Sequence, residues 1–221
     1  LNPSTGPIAV YAEAFSDAAQ IAIDHLNEDS DTHTFELVEA DSGCDGTQAG
    51  TAAQSLIDAG VVGIAGAACS GATLGAMEVA KTAGVPLVSY ASTSPALTSA
   101  DDGGYMFRVV PSDAQQGMAM ASMAASHGWQ NPGIIYMSND YGAGLAGVVK
   151  AAYAMAGKDM CVDISYADDN TDFSSQVAEI AAAGCDSLIT VTYATDGAAL
   201  LEEMATQGIQ GPTSPVCSAD C

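Results

Sequence analysis

The chain has 221 residues, of which 48% are hydrophobic, so it can bury a substantial core, and intrinsic disorder is excluded. Acidic residues outnumber basic ones by 27 to 4, giving a formal net charge of −23 at pH 7 that repels nucleic-acid phosphates and anionic bilayers. No apolar stretch approaches the roughly 20 residues of a membrane helix. We therefore expect a monomer with a solvated acidic surface and no nucleic-acid partner, and a salty habitat is left open.

Apolar periodicity predicts alternating helices and strands in the first half of the chain. In chain order, these elements are a helix at 13–27, a strand at 34–40, a helix at 47–59, a strand at 61–65, a helix at 72–83 and a strand at 85–89. The helix at 72–83 is followed by Gly84 and Pro86, a pairing typical of a helix end.

The second half repeats the same alternation. Strands are predicted at 105–110, 132–137, 161–166 and 187–192, helices at 112–127, 143–156, 172–183 and 198–207, and the beginning of one more strand at 213–217. Short apolar strands between amphipathic helices indicate parallel sheets covered on both faces. The fold class is therefore α/β, with two doubly wound, Rossmann-like lobes of parallel sheet.

A glycine-rich loop at 99–104, followed by a proline-led helix start, predicts the boundary between the lobes. We place the N-terminal lobe at 1–108 and the C-terminal lobe at 109–221. A doubly wound lobe normally opens with a central strand, whereas this chain opens in a loop and stops directly after a strand. We therefore expect the chain to be clipped at both ends and the C-terminal lobe to be incomplete.

Candidate binding residues follow the predicted strands, where doubly wound sheets place their ligands. Ser70 lies where the strand at 61–65 leads into a helix, so its hydroxyl and the first free amides can hold a carboxylate. Thr93 lies in a hydroxyl-rich loop after the strand at 85–89, and Tyr141 and Tyr193 follow two strands of the second half. Each also has a structural interpretation, as a helix cap, a turn residue or a packing aromatic, and Asp196 is likewise explained as an N-cap.

Enzyme chemistry finds little support in these residues. Ser70 has no nucleophile elbow, because Ala68 and Ala72 occupy the positions where the motif needs glycine. The three histidines lie away from the predicted strand ends, and no phosphate-binding loop or metal-ligand set stands out. We expect no catalytic residue, no metal and no cofactor.

Six cysteines, an even number, are spread along the chain: Cys44, Cys69, Cys161, Cys185, Cys217 and Cys221. They lack the two close pairs of a zinc site, and disulfides in an exported protein are the favoured interpretation. Buried thiols, catalysis or metal binding stay open as alternatives. No leader peptide is visible at Leu1, which fits a mature exported chain as well as a cytosolic one.

An ordered set of motifs covers nearly the whole chain. It comprises STGPIAVY at 4–11, DSGC at 41–44, AACS at 67–70, PLVSYASTSPALT at 86–98, FRVVPSD at 107–113, DYG at 140–142 and DFS at 172–174. The set resembles the type I periplasmic binding proteins of branched-chain amino acid and amide ABC transporters. The opening strand and the later segments of that family are absent here.

The resemblance implies a ligand-binding set. Its members are Tyr11, Ser70, Ala91, Ser92, Thr93, Asp113, Tyr141, Tyr193 and Asp220. In relatives, the residues matching Ser70, Ala91 and Thr93 hold the α-carboxylate and α-ammonium groups, and an acidic residue matched loosely by Asp220 binds the ammonium. Tyr11 would line the pocket, Tyr141 and Tyr193 would close over it from the second lobe, and Asp113 would assist closure.

The resemblance also bears on the cysteines, since relatives bridge the positions of Cys44 and Cys69. Cys161 and Cys185 both lie at or just before predicted strand starts, so we pair them. Cys217 and Cys221 then form the last pair by elimination.

The implied function is that of a periplasmic or extracellular solute-binding protein of an ABC transporter. It would capture a branched-chain or other apolar amino acid in a cleft between the lobes by hinge closure and dock on a membrane permease. A lipid anchor is left open. The alternative is the sensory domain of a receptor or regulator for an amide or urea-like solute, and an α/β hydrolase is the third interpretation.

Overall fold

Helices and parallel strands alternate along the chain in the computed structural model, which describes residues 1–168 and 170–209. The helices are α1 Ala12–Asp29, α2 Gly46–Asp58, α3 Ser70–Ala83, α4 Ala96–Ser99, α5 Asp113–Ser126, α6 Asp140–Met155, α7 Ser174–Ala183 and α8 Ala194–Thr206. The strands are β1 Ile64–Ala65, β2 Leu87–Ser89, β3 Met106–Arg108, β4 Pro132–Met137, β5 Asp163–Tyr166 and β6 Ser187–Val191. A single 3-10 turn at Ala9–Tyr11 leads into α1.

Contacts divide the chain into two units. Unit 1 is Leu1–Ser92 with Ala100–Val110, and unit 2 is Thr93–Ser99 with the chain from Pro111 onward. Each contains one parallel sheet with helices between its strands, so the predicted α/β class with two parallel sheets is confirmed. The predicted lobe boundary at 108/109 stays a prediction.

The sheet of unit 1 has the order β1-β2-β3, and all its strands are parallel. Helices α2 and α3 pack closely, because glycines at the crossing bring backbone against backbone: a Cβ on Gly46 would lie 3.0 Å from the carbonyl oxygen of Gly71. Helix α3 ends at Gly84 in the left-handed conformation (φ 69°), where glycine avoids the steric cost of a side chain.

The sheet of unit 2 has the order β5-β4-β6, again with all strands parallel. The central strand β4 is buried along nearly its whole length, which explains why it reads as an unbroken apolar run. The core around it is formed mainly by Ile134, Ile135, Met137, Leu145, Val149, Phe173, Val177, Val191 and Leu200.

Two disulfides lie within the described residues. Cys44 is bonded to Cys69 in unit 1, with the Cα atoms 5.2 Å apart, and Cys161 to Cys185 in unit 2, with 5.6 Å. Both predicted pairings are therefore confirmed. The third predicted pair, Cys217 with Cys221, lies outside the described residues, as does the strand predicted at 213–217.

One predicted strand is absent from the described part of the chain. The segment 34–40 forms no named strand, and the strand predicted at 61–65 is limited to Ile64–Ala65. At the end of the first segment, the backbone of Asn2 donates to the carbonyl of Ala40 and accepts from Ser42, so parallel pairing occurs only as an isolated bridge with Asp41.

Candidate functional site

Ser70 follows β1 after the loop at 66–69 and begins the next helix, as predicted. It is the first residue of α3 and is 2% exposed, while Cys69 is the N-cap residue and is tied to Cys44 by the disulfide. The first amides of a helix have no partner within the helix and carry the positive end of its dipole. This end of α3 is therefore suited to a carboxylate.

Hydrogen bonds from serine hydroxyl groups join the loop between β1 and α3 to the loop after β2. The hydroxyl of Ser92 contacts the Thr73 hydroxyl at 2.7 Å and donates to the carbonyl of Ala68 at 2.9 Å, and the Ser89 hydroxyl donates to the carbonyl of Ala67 at 2.6 Å. Ser92 is 1% exposed, and its backbone amide donates to the hydroxyl of Ser89 at 3.0 Å. Its side chain thus supports the loop that carries Ala91, a role the sequence analysis did not assign to it.

Tyr11 is the N-cap residue of α1, at the end of the first loop. Its ring lies 6.2 Å from that of Phe15, which in turn lies 5.1 Å from the ring of Tyr90. Burial raises the pKa of Tyr90 to about 12, so its hydroxyl stays protonated at neutral pH. The three rings form an aromatic row in unit 1, of which the sequence analysis predicted only Tyr11 as a ligand residue.

Asp41 ties the first loop to the turn before α2. Its carboxylate accepts from the Thr5 hydroxyl at 2.6 Å, from the Gly43 amide at 2.9 Å and from the Gln48 side chain at 3.0 Å. Partial burial acts to raise the pKa of Asp41, but the bonds from Thr5 and from backbone amides outweigh it, and the pKa is lowered.

Thr93 and Asp113 are joined by two hydrogen bonds within unit 2. The Thr93 hydroxyl donates to Oδ2 of Asp113 at 2.9 Å, and the Asp113 amide donates to the carbonyl of Thr93 at 2.9 Å. Asp113 is fully buried at the first position of α5, whereas Thr93 is partly exposed. Because the Thr93 hydroxyl donates its hydrogen to the carboxylate, its oxygen keeps lone pairs that can accept from a donor such as an ammonium group.

Tyr141 and Tyr193 lie at the carboxyl ends of β4 and β6, as predicted. Tyr141 is in the first turn of α6, and Tyr193 is the N-cap residue of α8. Their rings are stacked, with centroids 5.7 Å apart and planes 14° from parallel. Tyr141 is buried and Tyr193 is partly exposed, so the pair presents an aromatic surface from this edge of the sheet.

Tyr166, at the carboxyl end of β5, was missed by the sequence analysis. Its hydroxyl donates a short hydrogen bond to Asp196 in the first turn of α8, and its ring packs edge-on against Phe173 at 5.0 Å. The strand prediction already placed Tyr166 beside the other strand ends, but nothing in the sequence signalled its contact with Asp196, 30 residues away.

The last predicted ligand residue, Asp220, lies outside the described residues. Two cavities occur elsewhere: one of about 690 Å³ in unit 1, lined by α1, the segment 34–39 and Tyr90, and one of about 640 Å³ in unit 2, between α5 and α6. Neither is lined by a predicted ligand residue.

Within residues 1–168 and 170–209, no three His, Cys, Asp or Glu side chains are grouped so that they could share a metal ion. Among the helices in the same ranges, none combines the length and apolar character that a bilayer crossing demands.

The chain is similar to known solute-binding proteins. A family model described as "Periplasmic binding protein" matches residues 1–220. The leucine-, isoleucine-, valine-, threonine- and alanine-binding protein of Pseudomonas aeruginosa is 27% identical over 213 residues, which cover 94% of this chain and 56% of that protein. The chain thus spans about half the length of this curated relative.

Solved structures share the fold. The crystal structure of a leucine-binding protein from Thermotoga maritima superimposes with a TM-score of 0.83 at 27% identity, covering 95% of this chain and 59% of that one. An ABC transporter solute-binding protein from Rhodopseudomonas palustris, solved with 3,4-dihydroxybenzoic acid, gives a TM-score of 0.83 at 22% identity, covering 94% and 57%. The second likeness shows the fold alone.

Proposed function

Because this chain belongs to the periplasmic binding protein family, we propose that it binds a small amino-acid-like solute for an ABC transporter. The observation that supports this most strongly is the location of the predicted residues. Ser70 follows β1, Thr93 follows β2, and Tyr141 and Tyr193 follow β4 and β6, all at the carboxyl ends of parallel strands. Doubly wound sheets bind their ligands at these ends.

The polar contacts suit a zwitterion. The N-terminus of α3 with Ser70 offers a hydroxyl and a helix dipole to the α-carboxylate. Thr93, whose hydroxyl donates to Asp113, offers a lone pair to the α-ammonium, and the resemblance assigns backbone groups of Ala91 in the same loop to the ligand. Both charges of a bound amino acid would then be satisfied as water leaves.

The stacked tyrosines suit an apolar side chain. Tyr141 and Tyr193 supply ring surface from unit 2, and Tyr11 supplies a ring from unit 1. A branched-chain amino acid is the ligand we propose, in keeping with the names of the Pseudomonas and Thermotoga relatives.

Export, monomeric state and docking on a permease belong to the same proposal. Disulfides persist in oxidising compartments, so the two described bridges support a periplasmic or extracellular location. Capture in a cleft between the lobes by hinge closure, as the sequence analysis expects, is part of the proposal and stays a prediction.

A thermal-shift screen of the protein at its full natural length tests the proposal. A ligand that binds only the native state stabilises it by RT ln(1 + [L]/Kd), about 2.7 kcal/mol at a hundred times Kd. We expect leucine, isoleucine or valine to raise the midpoint, and Ser70→Ala to reduce the shift. Ser55→Ala, on the exposed face of α2, is the matched control that keeps it.

Two outcomes would reject the proposed ligand. A folded protein that responds to no amino acid but to urea or a small amide would favour a sensory domain for such solutes. A response to aromatic acids alone would reassign the ligand class while keeping the binding role.

A further inference from the structure

We propose that Tyr166 and Asp196 are positioning residues, which hold the ligand-facing pair Tyr141 and Tyr193 in place without contacting the ligand themselves. The inference rests on the proposed function, because it assigns a role in that same site. It is carried by an unbroken series of contacts from the buried end of β5 to the partly exposed ring of Tyr193.

The first contact fixes the start of α8. Asp196 is the third residue of this helix, and the amide of the next residue, Gly197, donates to the carbonyl of Tyr193 at 3.0 Å. A restraint on Asp196 therefore acts on the first turn of α8, which is bonded to the N-cap residue Tyr193.

The second contact fixes the carboxylate. Asp196 is 8% exposed and Tyr166 is 4% exposed, and the hydroxyl of Tyr166 donates to Oδ2 of Asp196. The Tyr166 ring is held in turn by its edge-on contact with Phe173, which is 1% exposed. Without this donor, Oδ2 of the buried carboxylate would lose its bond to Tyr166, which costs free energy and loosens the hold on the first turn of α8.

The third contact carries the restraint to the ligand side. Tyr193 stacks on Tyr141 with nearly parallel rings, so a displaced N-terminus of α8 would separate the two rings. Tyr141 is itself held by the first turn of α6, where the Asn139 side chain caps the Gly142 amide at 2.8 Å. Movement would therefore fall on Tyr193, the partly exposed member of the pair.

The charge of Asp196 makes this arrangement sensitive to pH. Burial raises the pKa of Asp196, although the bonds from Tyr166 and the backbone amides act to lower it. The other titratable groups that act on Tyr166 are Tyr141 on α6 and Asp168 after β5. Burial, and to a smaller extent the contact with Asp196, raises the pKa of Tyr166. Tyr166 thus stays a donor at neutral pH, and Asp196 takes up its proton at a higher pH than an ordinary aspartate does.

The sign follows from the protonation state. As the pH falls through the raised pKa, the carboxylate gains a proton and becomes a weaker acceptor for the hydroxyl of Tyr166. The restraint on Tyr193 weakens, so ligand affinity should fall in mild acid. A neutral amide at position 196 has no such titration.

The test is calorimetric titration of the full-length protein with the amino acid that gives the largest thermal shift. Tyr166→Phe removes one hydroxyl and keeps the ring, and we expect about tenfold weaker binding, equal to about 1.4 kcal/mol. Tyr153→Phe is the matched control. Tyr153 lies on α6, about three turns from Tyr141. Its hydroxyl is buried, as that of Tyr166 is, but has no hydrogen-bond partner among the described residues. Its affinity should match that of the wild type.

A pH series separates positioning from general stability. Wild-type affinity should decline as the pH is lowered from neutral through the raised pKa of Asp196, and Asp196→Asn should bind more weakly at neutral pH with a flatter profile. If Tyr166→Phe does not fold, Asp196→Asn carries the test, because its size is conserved and its amide retains an acceptor oxygen.

Wild-type affinity in Tyr166→Phe, or an unchanged pH profile in Asp196→Asn, would overturn the inference. Failure of the wild type itself to bind any amino acid would instead be a failure of the proposed function.

Discussion

Thr93 shows how a single side chain is prepared for binding. Its hydroxyl donates to the fully buried carboxylate of Asp113, and its carbonyl accepts the Asp113 amide. The first bond sets the direction of the proton, and the second sets the position of the backbone. Both bonds lie within unit 2.

Thr93→Val is predicted to destabilise the protein, because it removes a hydroxyl donor from the buried carboxylate of Asp113 while conserving volume. Hydrogen bonds to charged groups contribute about 1.5–3 kcal/mol, so the free energy of unfolding in urea should fall by roughly that amount. Thr93→Ser keeps the hydroxyl and should lose less. Equal stability of the valine and serine variants would contradict the assigned bond.

Asp41 gives a prediction for acid stability. Its pKa is lowered in the folded state, so its contribution is present above the unfolded pKa of about 3.9 and is lost as the pH falls through the lowered value. The denaturation midpoint of the wild type should therefore fall more steeply below about pH 5 than that of Asp41→Asn. Parallel pH profiles for the two proteins would show that the bonds from Thr5 and Gly43 do not stabilise the charge.

Individual residues also mark the limit of prediction from sequence. The positions of Ser70, Thr93, Tyr141 and Tyr193 after strands could be predicted from sequence. The alternation of helices and strands shows where each strand ends, and in a parallel sheet these ends lie at one edge. Ser92 was placed with the ligand residues by the resemblance alone, and its hydroxyl bonds to Thr73 and Ala68 within unit 1. Which way a hydroxyl points in a loop depends on partners distant in sequence, and no periodicity encodes it.

Helices α2 and α3 cross through glycines rather than side chains, which explains how closely they pack. A Cβ added at Gly75 would fall on the carbonyl oxygen of Gly46, and one at Gly50 would lie 3.3 Å from the carbonyl of Gly75. Backbone atoms cannot rotate aside as a side chain can, so the helices would have to separate.

Gly75→Ala is therefore predicted to destabilise the protein by about 1–3 kcal/mol, despite the better helix propensity of alanine. The matched control is Gly147→Ala on α6, where an added Cβ meets nothing within 4 Å. That change should stabilise by about 0.5–1 kcal/mol through propensity alone. Thermal or urea unfolding of both variants measures the difference, and an equal effect at the two sites would contradict the close crossing.

At the level of elements, buried strands were predicted best. Strand β4 begins and ends where its apolar run does, Pro132–Met137, because a central parallel strand is apolar on both faces. The segment 34–40 has strand-like composition but forms no strand in the described chain, since backbone pairing requires a neighbour and only Asn2 supplies one. Amino-acid composition indicates that a segment favours extended structure, but a strand forms only where an adjacent segment supplies backbone hydrogen bonds.

At the scale of the whole molecule, each unit has its own parallel sheet, its own disulfide and its own part of the predicted ligand set. Unit 1 contributes Ser70 and Tyr11, and unit 2 contributes Thr93, Tyr141 and Tyr193. The proposed function therefore assigns ligand-binding roles to residues of each unit.

A calorimetric titration with leucine, isoleucine and valine, on the full-length wild type and on variants from each unit, tests the proposed function most directly. We predict one ligand per chain and at least about tenfold weaker binding, a loss of about 1.4 kcal/mol, for both Ser70→Ala and Tyr193→Ala, with Ser55→Ala unchanged. Wild-type affinity in either site variant, in a protein shown to be folded, would contradict the proposed ligand-binding role of that residue.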